Sequence, residues 1–406
     1  MYETCVIFDL DGTLINTESI VDKAVVNVVT RLKKSSSERE IYDAAEDCRG
    51  QRPIDASKKL IEILNLQAVC SADELLSKCS SELAWDSMDF VPEMPGALRA
   101  IEHLRKRGVK IALATSTSEN ELRRKMLKSK ISLDMFDAVC CGDHVKHGKP
   151  APDIFLLAME RLHVRSSDMC VVIEDTPAGA TAAKSANMRC IAIPSLRREK
   201  FDQYAHADEV LHSLLDVQFE IYGDLPAFDD YVDVSSIDAD VDNKFGLKFE
   251  RFLKLETFLE LQGPVIRGFG RGSHMLGIPT ANLDVVPLKQ VVDQLAVGIY
   301  FGFAKLLDKK YKGKIYRTVM SIGFNPFFND VRKSIEPWLL HDFKGEDFYG
   351  ETLSVLVVAY LRPECGFTTM DNLVARIRKD AKVCEEAFDS GLVRDLDNYN
   401  AWFESF

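Results

Sequence analysis

Short apolar runs that end in polar residues recur along the first half of the chain. The first run occupies residues 5–8 and leads into DLDGT, and two more occupy 109–114 and 170–173. Such runs are typical of parallel strands that are buried on both faces and carry functional residues at their carboxyl ends. Amphipathic helical stretches follow the second and third runs. Strands that alternate with helices predict a doubly wound α/β sheet.

A helical period fills the region between the first two runs. Apolar residues recur at Val21, Ala24, Val25, Val28 and Leu32, and again at Leu60, Ile61 and Leu64. This pattern predicts an all-helical insert over about residues 15–91. We expect the insert to form a cap, and we expect residues 91–96, which include two prolines, to be its return crossing.

The second half of the chain has a different pattern. Residues 216–250 are acidic with few periodic apolar runs, so we predict a linker between domains at 1–215 and 251–406. Beyond the linker, β-rich stretches follow one another without intervening helices, at 258–268, 297–306, 315–322, 333–343 and 353–361. This succession predicts a small antiparallel barrel. An amphipathic pattern at about 369–388 predicts a final helix.

Composition and charge restrict the class of partner. A chain of 406 residues is too long for one ordinary hydrophobic core, which supports two domains. The formal charge of -12 at pH 7 disfavours general attraction to nucleic acid or anionic lipid, because both need a basic surface. We therefore expect small-molecule partners, no nucleic acid and no membrane.

The cysteines and the first residues bear on the compartment. The ten cysteines form no CxxC pair and no zinc-like spacing, so we expect reduced, mostly buried thiols. The start of the chain lacks a basic region followed by an apolar stretch, and no window reaches the length of a membrane span. We expect a cytoplasmic protein, although the sequence does not separate the cytosol from an organelle.

Paired aspartates stand at the end of the first predicted strand. Asp9 and Asp11 are two residues apart, so on an extended chain their side chains point the same way, and Gly12 allows a sharp turn. Like charges so placed need a cation, and Mg²⁺ prefers carboxylate oxygens. Asp175, with Glu174 beside it, offers a third carboxylate at another strand end. We predict a magnesium site there.

These oxygens suit a covalent phosphatase. One aspartate can attack phosphorus while the other protonates the leaving oxygen, and the metal offsets the repulsion between two anions. Thr115 offers a hydroxyl to a phosphoryl oxygen, and Lys149 offers a cation for the charge of the transition state. An isolated DxDG is more often a turn. A preceding buried strand and the other groups favour catalysis here.

The four pieces resemble the haloacid dehalogenase superfamily over about residues 3–215. The superfamily signature is DxDGT, then Ser or Thr, then Lys, then acidic residues, and all occur here in order. The helical insert is similar to the superfamily's four-helix cap. By this resemblance Asp9 is the nucleophile, Asp11 the acid/base, Thr115 and Lys149 phosphate ligands, and Asp175 a metal ligand supported by Glu174. Asp9 and Asp11 also belong to the expected metal site.

The segment 49–52 of the cap has two interpretations. Its two arginines, Arg49 and Arg52, could reach over a substrate, because cap loops close on such sites and exclude water. A solvated helix start before Pro53 is the better supported alternative.

A glycine-rich turn opens the second candidate site. Glycines at every second position, including Gly270 and Gly272, let backbone amides approach a phosphate closely. The turn matches neither a Walker loop nor a dinucleotide fingerprint, and a flexible hairpin is the alternative. Thr280 and Asn282 follow with oxygens that can ligate Mg²⁺. Glu336 stands in an otherwise apolar strand, where burial would raise its pKa toward the range of a general base.

These residues resemble riboflavin kinase over about residues 258–390. The motif PTAN, the glycine-rich segment, the Lys-Ser-hydrophobic-Glu strand and DFYG match in order. The resemblance implies a closed six-stranded barrel in which Thr280 and Asn282 bind Mg²⁺ with the ATP phosphates and Glu336 deprotonates the ribityl hydroxyl. The family often has His where this chain has Trp338. A turn at 280–282, and a solvent-facing or salt-bridged Glu336, are the alternatives.

The domain order also resembles the plant-type two-domain riboflavin kinase/FMN hydrolases. The resemblance implies that riboflavin, ATP and FMN are the substrates and Mg²⁺ the cofactor. One alternative gives the phosphatase another small phosphomonoester, such as a sugar phosphate, because catalytic motifs fix the chemistry and cap residues choose the ester. A second alternative makes one domain a silent regulatory module.

Overall fold

The computed structural model of the protein describes most of the chain. It describes all residues except 1, 34, 84, 86–88, 197, 234–250, 268–277, 279, 293, 312–313, 325–332, 366, 368 and 394–406. The chain forms two compact units, Met1–Phe228 and Asp229–Phe406. Within the described residues, we find no helix that is both long and apolar enough to cross a membrane.

A six-stranded parallel sheet forms the centre of the first unit, in the order β3-β2-β1-β4-β5-β6. Its strands are β1 (Cys5–Phe8), β2 (Ile111–Ala114), β3 (Ala138–Cys140), β4 (Cys170–Glu174), β5 (Arg189–Ala192) and β6 (Glu209–Val210). Every residue of β1, β2 and β4 is buried, which explains their continuous apolar sequence. The predicted doubly wound sheet is confirmed.

Eight helices of the described chain belong to the first unit. They are α1 (Glu18–Leu32), α2 (Glu38–Glu46), α3 (Pro53–Ile63), α4 (Ala72–Leu83), α5 (Ala97–Arg107), α6 (Glu119–Met126), α7 (Asp153–Arg161) and α8 (Pro177–Ser185). The first four form the predicted helical cap, with an apolar core of their own around Val28, Leu60 and Leu75. Local signals set their ends. Ser37 and Glu40 form a capping box at α2, and Pro53 begins α3.

The first part of the predicted linker is folded onto the first unit. Phe219 and Phe228 are buried there, and their rings lie 5.3 Å apart. The Asp224 carboxylate accepts hydrogen bonds from the backbone amides of Glu3 and Thr4, at 2.8 and 3.0 Å. Residues 217–228 therefore close the first unit, and residues 234–250 of the predicted linker lie outside the described residues.

A closed antiparallel barrel forms the second unit. Its six strands are β8 (Arg251–Ile266), β9 (Asn282–Leu283), β10 (Gly298–Leu306), β11 (Ile315–Phe324), β12 (Lys333–Leu339) and β13 (Thr352–Arg362). They follow the order β13-β10-β11-β12-β9-β8, and pairing of β8 with β13 closes the barrel. A short strand, β7 (Tyr231–Asp233), adds to β8, and a short helix, α9 (Lys289–Val292), follows β9. The predicted six-stranded barrel is confirmed.

The predicted final helix is α10 (Met370–Asp389). Thr369 caps its start, because its hydroxyl oxygen accepts a hydrogen bond from the Asn372 amide. Cys384 and Phe388 are buried against the barrel, and the Phe388 ring lies 4.4 Å from that of Phe303 on β10. The helix thus covers one side of the barrel beside β10 and β11.

Candidate active sites

Strand register gathers the first set of predicted residues at one edge of the parallel sheet. Phe8 pairs with Leu113 on β2 and with Ile173 on β4, so the three strands end side by side. Asp9, Thr115 and Asp175 are the residues that directly follow these strands. All three are buried at this edge, which is where ligands bind in open parallel sheets.

Lys149 joins this edge from the loop before α7. Its side chain is fully buried, and its ammonium donates a short hydrogen bond to Asp9. It also donates to a Glu174 carboxylate oxygen at 2.6 Å and to the Ala114 carbonyl at 3.2 Å. A buried ammonium is tolerated only with such partners. Lys149 thus places one positive charge between two buried carboxylates.

Three carboxylates form a compact oxygen cluster. One oxygen each of Asp9, Glu174 and Asp175 lies within 4.8 Å of the others, and all three residues are buried. Burial and the charge of Glu174 raise the pKa of both Asp9 and Asp175 well above the ordinary value, although Lys149 opposes the rise for Asp9. One Asp175 oxygen is buried without a hydrogen-bond partner among the described residues. A hard divalent cation such as Mg²⁺ fits this donor set.

Gly12 lies in the turn that follows β1 and packs closely against Asp175. Its φ is +82°, in the left-handed region that glycine adopts at low cost. A Cβ at this position would lie 2.1 Å from a carboxylate oxygen of Asp175. The turn after β1 therefore approaches Asp175 as closely as only glycine permits.

The Asp11 carboxylate lies outside the oxygen cluster. One oxygen accepts hydrogen bonds from the Thr17 hydroxyl at 2.6 Å and the Lys125 ammonium at 2.8 Å, and the other accepts from the Thr117 hydroxyl at 2.8 Å. Burial alone would raise the pKa of Asp11, but the Lys125 charge and the three donors lower it overall. The sequence prediction included Asp11 among the metal ligands, whereas the structure groups Asp9, Glu174 and Asp175.

Sequence reasoning did not single out Lys125, Thr117 or Thr17. Lys125 belongs to a charged stretch, ENELRRKM, and such residues ordinarily face solvent. The helical spacing does indicate burial of Lys125, because this residue follows Leu122 by three positions and so lies on the same side of α6. Thr117 stands two residues after Thr115, whose hydroxyl oxygen accepts the Thr117 amide at 3.1 Å.

The cap loop contacts the core near this site. Arg49 forms ion pairs with Glu18 and Asp22 of α1, at 2.7 and 2.5 Å, and donates to the Ser195 carbonyl at 2.7 Å. Its side chain is 14% exposed, so the expectation of a solvated segment is wrong for Arg49. Arg52 pairs instead with Asp55 of α3 at 2.7 Å.

Glu336 is the central residue of the second candidate site. On β12 the side chains of Ile335, Pro337 and Leu339 are buried, whereas Glu336 lies on the other face and is partly buried. Burial raises the pKa of Glu336, and a hydrogen bond from the Ser334 hydroxyl at 3.2 Å opposes the rise. Glu336 is thus a partly buried carboxylate with a raised pKa, which is a property that suits a general base.

The PTAN residues lie beside β12. Leu283 of β9 pairs with Ile335, and the Ala281 amide donates to the Pro337 carbonyl at 2.8 Å. These two contacts place Asn282 next to Glu336 on the neighbouring strand, and Thr280 one step further. The backbone register therefore places Asn282 across from Glu336 and Thr280 across from Trp338. Gly270 and Gly272 lie outside the described residues.

A cavity of about 570 Å³ opens next to these strands. Its lining includes Thr280, Trp338, Phe343, Tyr349 and Lys382. Its aromatic walls can hold a flat ring system. Two cations, Arg378 and Lys382, and four carboxylates also line the cavity and can contact polar groups of a ligand. The cavity begins two residues along β12 from Glu336, so a ligand within it lies near the predicted base.

Comparisons with known proteins match each unit to one family. Residues 6–193 match the haloacid dehalogenase-like hydrolases, and residues 255–388 match riboflavin kinase. The first unit is 34% identical over 235 residues to (DL)-glycerol-3-phosphatase 1, mitochondrial, of Arabidopsis thaliana, across 56% of this chain and 75% of that protein. The second is 45% identical over 132 residues to the riboflavin kinase of Mus musculus, across 32% of this chain and 79% of that protein.

One relative spans both units. The chain is 39% identical over 386 residues to the bifunctional riboflavin kinase/FMN phosphatase of Arabidopsis thaliana, which covers 95% of this chain and 93% of that protein. Both halves thus match in one continuous relative, in the same order as the two folded units. The chain therefore belongs to the family of bifunctional riboflavin kinase/FMN phosphatases.

Proposed function

We propose that the second unit phosphorylates riboflavin with ATP to form FMN and that the first unit hydrolyses FMN. The observation that carries this proposal is the similarity along almost the whole chain to a relative that combines both activities. Each unit also presents the groups that its reaction needs. The first unit has buried carboxylates beside Lys149, and the second has Glu336 beside Thr280 and Asn282.

In the first unit, Asp9 is the proposed nucleophile. Its carboxylate oxygen attacks phosphorus, the bond from phosphorus to the ester oxygen breaks, and Asp11 gives that oxygen a proton. Asp11 then removes a proton from a water molecule that attacks the aspartyl phosphate. Inorganic phosphate leaves and Asp9 is restored. Lys149 offsets negative charge at Asp9 throughout, which its hydrogen bond to that residue supports.

The remaining groups of the first site bind phosphate and metal in this proposal. The Thr115 hydroxyl faces a phosphoryl oxygen, because Thr115 follows β2 at the same sheet edge. Asp9, Glu174 and Asp175 would hold Mg²⁺, which would supply charge neutralisation between nucleophile and substrate. We place Asp11 outside the metal site, because its carboxylate oxygens already accept hydrogen bonds from Thr17, Thr117 and Lys125. Its assignment to proton transfer follows from the resemblance to the haloacid dehalogenase superfamily.

In the second unit, Glu336 is the proposed base. It accepts the proton of the ribityl hydroxyl as that oxygen attacks the terminal phosphorus of ATP, and ADP leaves. Thr280 and Asn282 would hold Mg²⁺ with the ATP phosphates, which would supply charge for the transferred group. We also assign the backbone amides of Gly270 and Gly272 to the ATP phosphates, because glycines at every second position let amides approach a phosphate closely. Positioning and charge stabilisation provide most of the catalysis.

A second candidate substrate for the first unit has support of its own. The glycerol-3-phosphatase relative shares 34% identity with this unit, which favours a small polyol phosphate. A silent regulatory first unit is disfavoured, because Asp9, Asp11, Lys149 and Asp175 are all retained at one sheet edge.

A direct competition distinguishes the substrates. Purified full-length protein is assayed with Mg²⁺ for phosphate release from FMN, glycerol 3-phosphate and a panel of sugar phosphates, without ATP. We expect kcat/KM for FMN to exceed that for the other esters by at least about tenfold, which corresponds to a difference of about 1.4 kcal/mol in transition-state binding. A higher kcat/KM for glycerol 3-phosphate than for FMN would identify a polyol phosphate, and not FMN, as the substrate of the first unit.

A further inference from the structure

A buried lysine of the first unit has no part in the reaction described above. The Lys125 side chain is 4% exposed, although it belongs to a charged stretch of α6. Its ammonium lies 2.8 Å from an Asp11 oxygen, 3.1 Å from the Thr117 hydroxyl and 3.6 Å from a Glu121 oxygen. Burial of an ammonium is costly unless partners compensate it. These three contacts compensate the buried charge of Lys125, and the shortest of them is the contact with the Asp11 carboxylate.

Three parts of the chain hold the Asp11 carboxylate. Thr17 precedes α1, where the chain enters the cap, and its hydroxyl donates to the same oxygen as Lys125. Thr117 follows β2 and donates to the other oxygen. Lys125 supplies a charged donor and also contacts Thr117. Both carboxylate oxygens are thereby fixed in direction.

The chain segment that leaves the cap also reaches this cluster. Trp85, which follows α4, is 1% exposed, and its ring centre lies 5.0 Å from the Lys125 ammonium. Its indole N–H donates to a Glu121 oxygen at 3.1 Å. An aromatic face at this distance attracts a cation. Thr17 at the start of the cap thus contacts Asp11, and Trp85 near the end of the cap contacts Lys125.

We infer that Lys125 is a positioning residue for the phosphatase, which orients the Asp11 carboxylate at the junction of cap and core. The inference rests on the acid/base role proposed above for Asp11. Lys125 acts on the reaction only through the Asp11 carboxylate, to which its ammonium donates a hydrogen bond. It restricts the directions in which Asp11 can exchange a proton with the leaving oxygen and with water. Thr17 and Trp85, near the two ends of the cap, contact this pair of residues.

The test uses the full-length protein and FMN hydrolysis. Lys125→Met keeps much of the side-chain volume and removes the charge. We expect kcat to fall by about 10- to 100-fold, a part of the 10²–10⁴ that general acid–base catalysis supplies. KM for FMN should change by less than about threefold, because Lys125 does not contact substrate. Lys125→Arg, which keeps the charge, should lie between Lys125→Met and the parent.

A double-variant comparison separates positioning from a structural role. If Lys125 acts through Asp11, then Asp11→Asn combined with Lys125→Met should be no slower than Asp11→Asn alone. The matched control is Lys110→Met, which removes a lysine whose ammonium donates to the Leu162 carbonyl, and it should leave kcat unchanged. Riboflavin phosphorylation by each variant reports on intact folding of the second unit, and thermal unfolding reports on the first.

Two results would overturn the inference. One is a kcat for Lys125→Met within about twofold of the parent, and the other is a further loss in the double variant equal to that of Lys125→Met alone. Should Lys125→Met fail to fold, Lys125→Gln takes its place under the same criteria. Full activity of Asp11→Asn would instead contradict the proposed acid/base role, so the two failures are distinguishable.

Discussion

At the residue scale, the phosphatase edge depends on charges that are buried together. Asp9, Glu174 and Asp175 place three carboxylates out of water, and Lys149 compensates two of them through direct hydrogen bonds. The loss of one partner from such a cluster leaves an uncompensated charge, which is far more costly than the loss of an exposed pair. The space around these carboxylates is also restricted, because the turn at Gly12 leaves no room for a Cβ beside Asp175.

We predict that Gly12→Ala abolishes most phosphatase activity. The new Cβ would lie 2.1 Å from an Asp175 oxygen, so the carboxylate must move. Alanine at φ +82° also costs about 1–2 kcal/mol. The matched control is Gly108→Ala, at φ +75° with no atom within 4 Å of the added Cβ. It should lose similar backbone stability and keep its activity. Equal activities in the two variants, measured as FMN hydrolysis, would contradict this account of the turn.

We predict that riboflavin phosphorylation depends on the ionisation of Glu336. The base must be deprotonated, so kcat should fall as pH decreases through its pKa. Burial raises that pKa above the ordinary 4.5, so the fall should occur at a higher pH than for an exposed glutamate. Glu336→Gln should lower kcat by about 10²–10⁴ and remove this limb of the profile. A profile for Glu336→Gln that parallels the parent would exclude Glu336 as the base.

The sequence predicts some of these residues and not others for a physical reason. Asp9, Thr115 and Asp175 follow apolar strands, and parallel strands bring their carboxyl ends together whatever the loops contain. Lys125 and Thr17 contact Asp11 only because α6 and the start of the cap fold back over it. No local pattern encodes that distance. The contact between Lys125 and Asp11 is therefore visible only in the folded chain.

At the element scale, the end of the first unit is held by apolar side chains rather than by regular structure. Residues 217–228 include the 3₁₀ turn Phe219–Ile221 and bury Phe219 and Phe228. The Phe228 ring also stacks with His103 of α5 at 4.4 Å and lies 3.6 Å below the Arg99 guanidinium. This segment thus adds a buried aromatic contact to α5.

We predict that a fragment of residues 1–228 is more stable than one of residues 1–215. Full burial of one phenylalanine contributes about 1.5–3 kcal/mol, and the shorter fragment loses two such side chains. The thermal midpoint of 1–228 should exceed that of 1–215 by several degrees. Phe228→Ala in the longer fragment should produce part of the difference. Equal midpoints for the two fragments would show that the segment contributes nothing to stability.

Elements with a regular apolar period can be predicted from the sequence, and segments without such a period cannot. The helical cap and the barrel strands were predicted because their apolar residues repeat with a helical or β period. The predicted strand at 258–268 corresponds to β8, which begins earlier, at Arg251, where polar and apolar residues mix. Residues 217–228 have turns without a period, so their acidic composition indicated a linker although their aromatic residues are buried.

At the scale of the whole molecule, two opposed reactions share one chain. The kinase reaction converts riboflavin and ATP to FMN and ADP, and the phosphatase reaction converts FMN and water to riboflavin and phosphate. Their sum is ATP hydrolysis with flavin recycled. The two candidate sites use different carboxylates on different folds, Asp9 in the first unit and Glu336 in the second.

We predict that the two reactions can be removed separately. Asp9→Asn cannot form an aspartyl phosphate, so FMN hydrolysis should be lost while riboflavin phosphorylation stays within about twofold of the parent. Glu336→Gln should show the converse pattern. Both variants are assayed for both reactions with purified full-length protein. Loss of both activities in either variant, with the protein folded, would contradict the separation.

The most direct measurement of the central claim is the amount of ADP formed per riboflavin supplied. With Mg²⁺, excess ATP and limiting riboflavin, the parent should form more than one ADP per riboflavin, and the ratio should keep rising as the phosphatase returns FMN to riboflavin. Asp9→Asn should stop at one ADP per riboflavin, and Glu336→Gln should form almost none. A parent protein that also stops at one ADP per riboflavin would contradict the account, because its first unit would then not hydrolyse FMN.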